Sequence, residues 1–238
     1  MLRQIRDFLG IIGLAIGFAF LFQATAFATY FIPSESMLPT LQVGDRLTVS
    51  KYAYGWSRYS LPYDLKLPVS LTGRIFGHQP KHGDIVVFMH PTSGERMIKR
   101  LVGLPGDRIA MVNGELVLNG QPVPRRHLRT YRYREYEGRI VEVDEFEETL
   151  IPGDSHKVLQ RTRYMPGRNM AEVTVPPDHY FMLGDNRDNS SDSRFPQMGM
   201  VPAENLIGRA EVILYSFYSC TEESGVTCAD RRFVTLLE

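Results

Sequence analysis

Three short segments carry residue types that could do chemistry together. Ser34 and Ser36 lie in Pro33-Ser34-Glu35-Ser36-Met37-Leu38-Pro39-Thr40-Leu41, and Lys99 opens Lys99-Arg100-Leu101-Val102-Gly103-Leu104-Pro105-Gly106-Asp107. The third, Gly184-Asp185-Asn186-Arg187-Asp188-Asn189-Ser190-Ser191-Asp192-Ser193-Arg194, gathers hydroxyl, carboxylate and guanidinium groups. A serine hydroxyl is a poor nucleophile until an adjacent base removes its proton. Histidine is the usual base, but none of the six histidines sits in a segment resembling a Ser-His-Asp protease, and no Gly-x-Ser-x-Gly elbow is present. A lysine can serve if it is neutral, which means lowering its pKa from about 10.4 to about 7–8, a cost of ~4 kcal/mol at 1.36 per unit. Burial in apolar surroundings does this. If Met97 to Val102 is a strand, Lys99 shares a face with Met97 and Leu101 while Arg100 points the opposite way, so Lys99 is expected on a dry side and Arg100 on a wet one. Taken singly, each group has a plainer reading: serines capping a turn, a solvated strand lysine, an Asp192–Arg194 surface bridge worth little.

The elements that must position these residues read as mainly β structure. Asn113-Gly114 and Asn119-Gly120, with Arg-Ile-Ala-Met-Val before the first and Glu-Leu-Val-Leu between them, predict two tight hairpin turns linking three short strands. Asp84 to Phe88, Met97 to Val102 and Glu211 to Phe217 are further strand candidates, and Leu104-Pro105-Gly106-Asp107 suits a type II turn. The chain is 43% hydrophobic, enough for a packed core, while 20 Gly and 15 Pro are too many breakers for an all-helical bundle. Arg125 to Arg139 carries six Arg interleaved with Tyr131, Tyr133 and Tyr136, and residues 142 to 148 carry five acids. The Tyr-Arg alternation suits one face of a solvated strand. With 27 basic and 27 acidic side chains the formal charge is zero, and a nucleic-acid partner is not expected. Two cysteines exclude a disulfide-dense miniprotein and a four-cysteine zinc site, no His-Glu-x-x-His occurs, and no metal is expected.

Between Asp7 and Glu35 there are 27 consecutive uncharged residues. The apolar stretch from Phe8 to Ile32 would span ~37 Å as a helix, against a bilayer core of about 30 Å. Arg3 and Arg6 place the amino terminus in the cytoplasm by the positive-inside tendency, and everything after residue 32 outside. Small-x-small triplets at Ala24-Thr25-Ala26 and Ala26-Phe27-Ala28 imitate a signal-peptide cleavage site, but the run continues through Tyr30, Phe31 and Ile32, as an anchor would. Under either reading Cys220 and Cys228 reach a compartment where they could be oxidised to one another. Tyr52, Tyr54, Trp56 and Tyr59 form an aromatic-rich stretch suited to a membrane interface or to a packed hairpin.

In order and wording the three segments closely resemble the serine, lysine and Gly-Asp-Asn boxes of type I signal peptidases, membrane-anchored Ser/Lys endopeptidases that remove signal peptides from exported proteins. Gly83-Asp84-Ile85-Val86-Val87-Phe88 resembles a fourth box, and the likeness spans most of residues 30 to 210. The resemblance implies an N-terminal transmembrane helix followed by a β-rich catalytic domain with a smaller inserted β domain. The expected division is a cytoplasmic start at 1–7, an anchor at 8–32, a discontinuous catalytic domain at 33–107 and 177–238, and an insert at 108–176. It implies Ser36 as nucleophile and Lys99 as general base, with the backbone N–H of Ser36 and the hydroxyl of Ser34 as oxyanion donors. Ser190 is expected to hydrogen-bond the lysine, and Asp192 and Arg194 to form an ion pair beneath it that Asp185 joins. No metal or organic cofactor is implied. The partners implied are signal peptides cleaved after small residues in an Ala-x-Ala pattern, the lipid bilayer, and an encounter with the protein translocation machinery. The implied location is the bacterial inner (plasma) membrane, single-pass, with the catalytic domain on the periplasmic or extracytoplasmic side. A related Ser/Lys processing peptidase with narrower clients, and an exported β-rich binding module, are the competing readings.

Overall fold

The computed structural model describes residues 2–60, 73–135, 138–162, 165–217, 225–228 and 232–237. Helix α1 covers Leu2–Ala26 and the rest is mainly β. The strands are β1 (Phe27–Phe31), β2 (Asp45–Ser50), β3 (Ile85–Met89), β4 (Arg96–Gly103), β5 (Arg108–Val112), β6 (Glu115–Leu118), β7 (Gln121–Pro122) and β8 (Arg125–Arg134). They continue as β9 (Ile140–Ile151), β10 (Asp154–Gln160), β11 (Met170–Thr174), β12 (His179–Leu183), β13 (Val201–Pro202), β14 (Leu206–Ser216) and β15 (Phe233–Leu236).

The apolar run expected to form one span over 8–32 divides after Ala26. Phe27–Phe31 alternates exposed and half-buried positions, the period of a half-buried strand, and pairs antiparallel with β2 from Phe27↔Ser50 to Phe31↔Arg46. Ile32 then enters the core at 2% exposure. The side chains of α1 from Asp7 to Phe22 are all exposed, and among the described residues no helix is long and apolar enough to cross a membrane.

The main sheet has the order β1-β2-β14-β3-β4-β12-β13, with β15 on β14. β14 serves three neighbours through shifts of register against β2 and β3, the bends that bulges permit. At Gly208 a Cβ would stand 2.4 Å from Ser50 O, so only glycine allows the strands this close. β3 pairs with β4 from Ile85↔Arg100 to Met89↔Arg96, while β12 meets β4 only from Arg100 onward. Met97 to Lys99 therefore has a strand on one side and none on the other among the described residues.

Two smaller sheets, β10-β9-β8 and β11-β5-β6-β7, come from residues 108 to 174. Both Asn-Gly pairs hold positive φ at both positions, 52° and 85°, then 54° and 78°, the mirror-image turn whose twist matches that of a hairpin. In β8, Tyr131 and Tyr133 are buried and Arg132 and Arg134 exposed. The basic and acidic runs are cross-strand partners: Arg126 bonds Glu147, Arg129 bonds Glu145 and Arg132 bonds Glu142, pairs that stabilise a sheet face. Tyr136 lies outside the described residues. Cys228 is disulfide-bonded; Cys220 lies outside the described residues.

The aromatic stretch divides its tasks. Tyr54 is buried in a core cluster with Phe88 and Leu101, and its hydroxyl donates to Asp84 at 3.0 Å. Trp56 donates from Nε1 to Thr25 O in the last turn of α1 at 2.9 Å, satisfying one of the carbonyls that a helix end leaves without a partner. Tyr52 is exposed and meets the edge of Phe27, and Tyr59 packs against the core.

Candidate active site

Ser36 sits in a single 3-10 turn, Glu35–Met37, directly after the edge strand and its continuation into the core. Met37 and Leu41 anchor the turn in the main core. Leu38 instead joins Tyr131, Tyr133, Val141, Val143 and Leu159, so the turn is gripped by two sheets at once. Lys99 projects from the part of β4 that pairs only with β3 among the described residues, and its Nζ lies 2.8 Å from Ser36 Oγ and 3.0 Å from Ile98 O. Ser34 Oγ stands 3.3 Å from Ser36 Oγ.

Lys99 is 2% exposed. Burial lowers its pKa to about 8, because an ammonium group out of water loses its hydration; the Asp192 and Asp185 charges pull the other way and limit the fall. The amine is therefore close to half neutral near pH 8, with its hydrogen-bonding end against a hydroxyl.

The carboxylates around it are themselves fixed. Asp192 accepts from Arg194 Nε and Nη2 at 2.8 Å each, and from Gly184 N–H at 3.1 Å. Arg194 also donates to Arg187 O. Asp185 does not join that pair. It takes a two-pronged bond from Arg100 Nε and Nη2 at 2.9 Å and one from Thr40 Oγ1 at 2.5 Å. Burial pushes the Asp185 carboxyl up, and the Arg100 charge, its paired bonds, His156 and Thr40 together outweigh that and hold it below the ordinary aspartate value.

The expectation that Arg100 faces water is overturned, since Arg100 is 1% exposed. The second face of β4 is covered: β10 docks there through Leu159 N–H to Asp185 O at 2.8 Å, and Arg100 finds Gly83 O at 2.8 Å as well as Asp185. The Ser190 bond to the lysine is likewise not made. Ser190 Oγ is buried without a hydrogen-bond partner and turned toward Gly184, where a Cβ would come within 2.2 Å of it and 2.6 Å of Ser36 O. The missing side chain of Gly184 is what lets the two serine-bearing loops touch.

Two residues without an expected role complete the site. Asn186, 1% exposed, donates its N–H to Ser36 O and its side-chain Nδ2 to Glu35 O and to the Tyr133 hydroxyl, each at 3.1 Å. Arg187 is buried against Glu148 of β9 in a two-pronged pair, with His156 Nε2 3.4 Å from the same carboxylate. Burial raises the Glu148 carboxyl, and Arg187 and His156 overcome it to hold the group far below the usual range. Their place in the Gly-Asp-Asn segment was visible in the sequence; their partners on β8 and β9 were not.

A chemical description follows. A buried amine of lowered basicity contacts a partly exposed hydroxyl, and a second hydroxyl is adjacent. That set can deprotonate a hydroxyl and support its attack on a carbonyl.

Known proteins resemble this chain along most of its length. The family described as signal peptidase, peptidase S26, matches residues 5–215. Signal peptidase I of Rickettsia typhi is 37% identical over 195 residues, covering 78% of this chain and 70% of that protein. Signal peptidase I of Rickettsia rickettsii is 36% identical over 217 residues, covering 87% and 78%. A crystal structure of a signal peptidase I from Enterococcus faecalis V583 aligns with a TM-score of 0.34 and 26% identity, covering 56% of this chain and 97% of that one.

Proposed function

The chain belongs to the signal peptidase family, peptidase S26, and from that premise we propose that it removes N-terminal signal peptides from exported preproteins with a Ser36–Lys99 dyad. One observation carries the reading: Lys99 Nζ, buried and lowered to about 8, stands 2.8 Å from Ser36 Oγ. Neutral Lys99 takes the hydroxyl proton as Oγ attacks the scissile carbonyl. The oxyanion is received by the Ser36 N–H and the Ser34 hydroxyl. Lys99 ammonium then protonates the departing amine of the mature protein, leaving an ester on Ser36. A water that gives its proton to Lys99 attacks the ester, and the ammonium returns that proton to Oγ as the signal peptide leaves. Every proton is accounted for within the dyad and the water, and the chemistry calls on no cofactor. Asp192, held by Arg194, and Asp185 keep the lysine's basicity from falling too far to act.

The substrate is proposed to add as an extended strand beside Met97 to Lys99, which among the described residues pair with β3 alone. Cleavage after small residues in an Ala-x-Ala pattern suits shallow apolar pockets there. Of the apolar residues flanking the serine and the lysine, Ile32, Leu41 and Val86 are fully buried, which leaves Pro33 and the half-buried Ile98 to touch a peptide.

The membrane assignment rests on 27 uncharged residues between Asp7 and Glu35 and on the exposed apolar side chains from Phe8 to Phe22 of α1, a surface that lipid would cover. The catalytic domain then lies on the exported side, the amino terminus in the cytoplasm, and preproteins arrive beside the bilayer, near the translocation machinery. The catalytic domain is proposed to comprise 33–107 and 177–238, with 108–176 as an insert. Incubation of the full chain in detergent with a preprotein, followed by mass determination of the products, tests the function: cuts after Ala-x-Ala, abolished by Ser36→Ala and by Lys99→Ala, are expected. Undiminished cleavage by both variants would sink the dyad. Failure on a broad panel with success on one client would favour a specialised processing peptidase.

A further inference from the structure

Glu35 O and Ser36 N–H belong to one planar peptide unit, and in a trans peptide they point in opposite directions. Whatever holds the carbonyl therefore aims the N–H. Glu35 O accepts from Leu38 N–H at 3.1 Å and from Asn186 Nδ2 at 3.1 Å, which fills both of its lone pairs. Asn186 grips the next carbonyl too, its own N–H donating to Ser36 O at 3.1 Å. The turn is thus clamped on both sides of the Ser36 α-carbon by one buried residue.

The orientation of the Asn186 carboxamide is itself fixed from outside the main sheet. Its second side-chain N–H donates to the Tyr133 hydroxyl of β8 at 3.1 Å, and Asn189 Nδ2 reaches the same oxygen at 3.5 Å. A flipped amide would set Oδ1 against the Glu35 carbonyl, two acceptors face to face, so the hydrogen-bond network selects the donor orientation. Tyr133 is 3% exposed and packs with Leu38, two residues beyond Ser36.

We infer that Asn186 is a positioning residue that aims the oxyanion-binding amide of Ser36, and that Tyr133 of the small β8–β9–β10 sheet positions Asn186 in turn. The small sheet is then part of the catalytic apparatus. A donor to the carbonyl also polarises the peptide and makes its N–H a better donor, so the bond acts on strength as well as direction. The inference rests on the reading of Ser36 as nucleophile.

The test uses the full chain in detergent. Losing an oxyanion donor outright costs about 10²–10³ in kcat, and an amide that is present but poorly aimed loses part of that. Asn186→Ala should lower kcat about 10–100-fold, Asn186→Asp at least as far because a carboxylate faces the Glu35 carbonyl, and Tyr133→Phe about 3–10-fold, all with KM within about twofold. A peptide aldehyde ending in alanine, to whose carbonyl Ser36 Oγ adds, should bind more weakly in proportion to the kcat loss, while the matching unreactive peptide amide binds as to the parent enzyme. Tyr133→Phe removes a single oxygen and settles the matter should Asn186→Ala not fold. Full kcat in Tyr133→Phe together with Asn186→Ala, or equal weakening of aldehyde and amide, overturns the inference while inactive Ser36→Ala leaves the dyad standing. An active Ser36→Ala overturns the reading beneath it instead.

Discussion

Lys99 and Arg100 are consecutive in β4 and both are buried, yet Lys99 Nζ ends 2.8 Å from Ser36 Oγ while Arg100 Nε and Nη2 end 2.9 Å from the oxygens of Asp185. A strand sends neighbours to opposite faces, and here both faces are covered. On one face burial lowers the pKa of the amine; on the other the guanidinium is paired with a carboxylate. The difference between an amine of lowered pKa and a paired guanidinium is made within one residue of sequence.

With Lys99 as base, kcat/KM should rise about tenfold per pH unit below its pKa and level off above about 8. Initial rates on a preprotein between pH 5 and 10 check this. A flat profile below pH 8 would remove Lys99 from the base role.

Asp192 is the charge that most opposes the lowering of the Lys99 pKa. Replacing it with Asn should move the midpoint of the kcat/KM profile to lower pH, since the ammonium form loses an anion. A midpoint that stays put, or rises, contradicts the electrostatic account.

The lysine should also be visible in stability. Its folded pKa lies below its ordinary value of 10.5, so between about 8 and 10.5 the unfolded chain binds more protons and stability rises with pH. The shift corresponds to up to about 3 kcal/mol at 1.36 per unit. Lys99→Met should therefore stabilise the fold at pH 7, by an amount that shrinks as pH climbs from 8 toward 10.5. Denaturant midpoints at pH 7 and pH 10 give the comparison, and a gain independent of pH would refute it.

Asp185→Ala should cost about 3–5 kcal/mol, because it leaves the Arg100 guanidinium buried without its carboxylate. The loss should appear in unfolding midpoints, and it should be larger than for Arg126→Ala, whose partner Glu147 is on the surface.

Gly184→Ala puts a Cβ 2.2 Å from Ser190 Oγ and 2.6 Å from Ser36 O. The loops must part, so activity should fall by about tenfold or more while overpacking costs about 1–3 kcal/mol. Activity close to that of the parent would mean that the contact between the loops does not position Ser36.

Much of the fold was legible because local rules wrote it. Asn113-Gly114 and Asn119-Gly120 form their tight turns at positive φ, and the alternation of Tyr131-Arg132-Tyr133-Arg134 falls on a strand, although the burial of both tyrosines was not legible and came from the packing of β8. The end of the apolar run was not legible. Phe27 to Phe31 is as apolar as the helix before it, and what makes it a strand is β2, from residues 45 to 50, lying alongside. Arg100 on a supposed wet face failed for the same reason, since the covering β10 comes from residues 154 to 160.

What this sequence determined by itself was chemical type: hydroxyls at Ser34 and Ser36, one lysine flanked by apolar neighbours on its own face, and a cluster of carboxylates and guanidinium groups at 184–194. Those properties are local and survive in an unfolded chain. The partnerships did not come from the sequence. Asp185 with Arg100 rather than Arg194 and Asn186 joining Glu35 to Tyr133 are contacts between segments dozens of residues apart, and Ser190 is turned to Gly184 within its own loop rather than to Lys99. Hydrogen bonds and pKa shifts depend on distances of a few ångströms and on exclusion of water, and only the packed sheets set either.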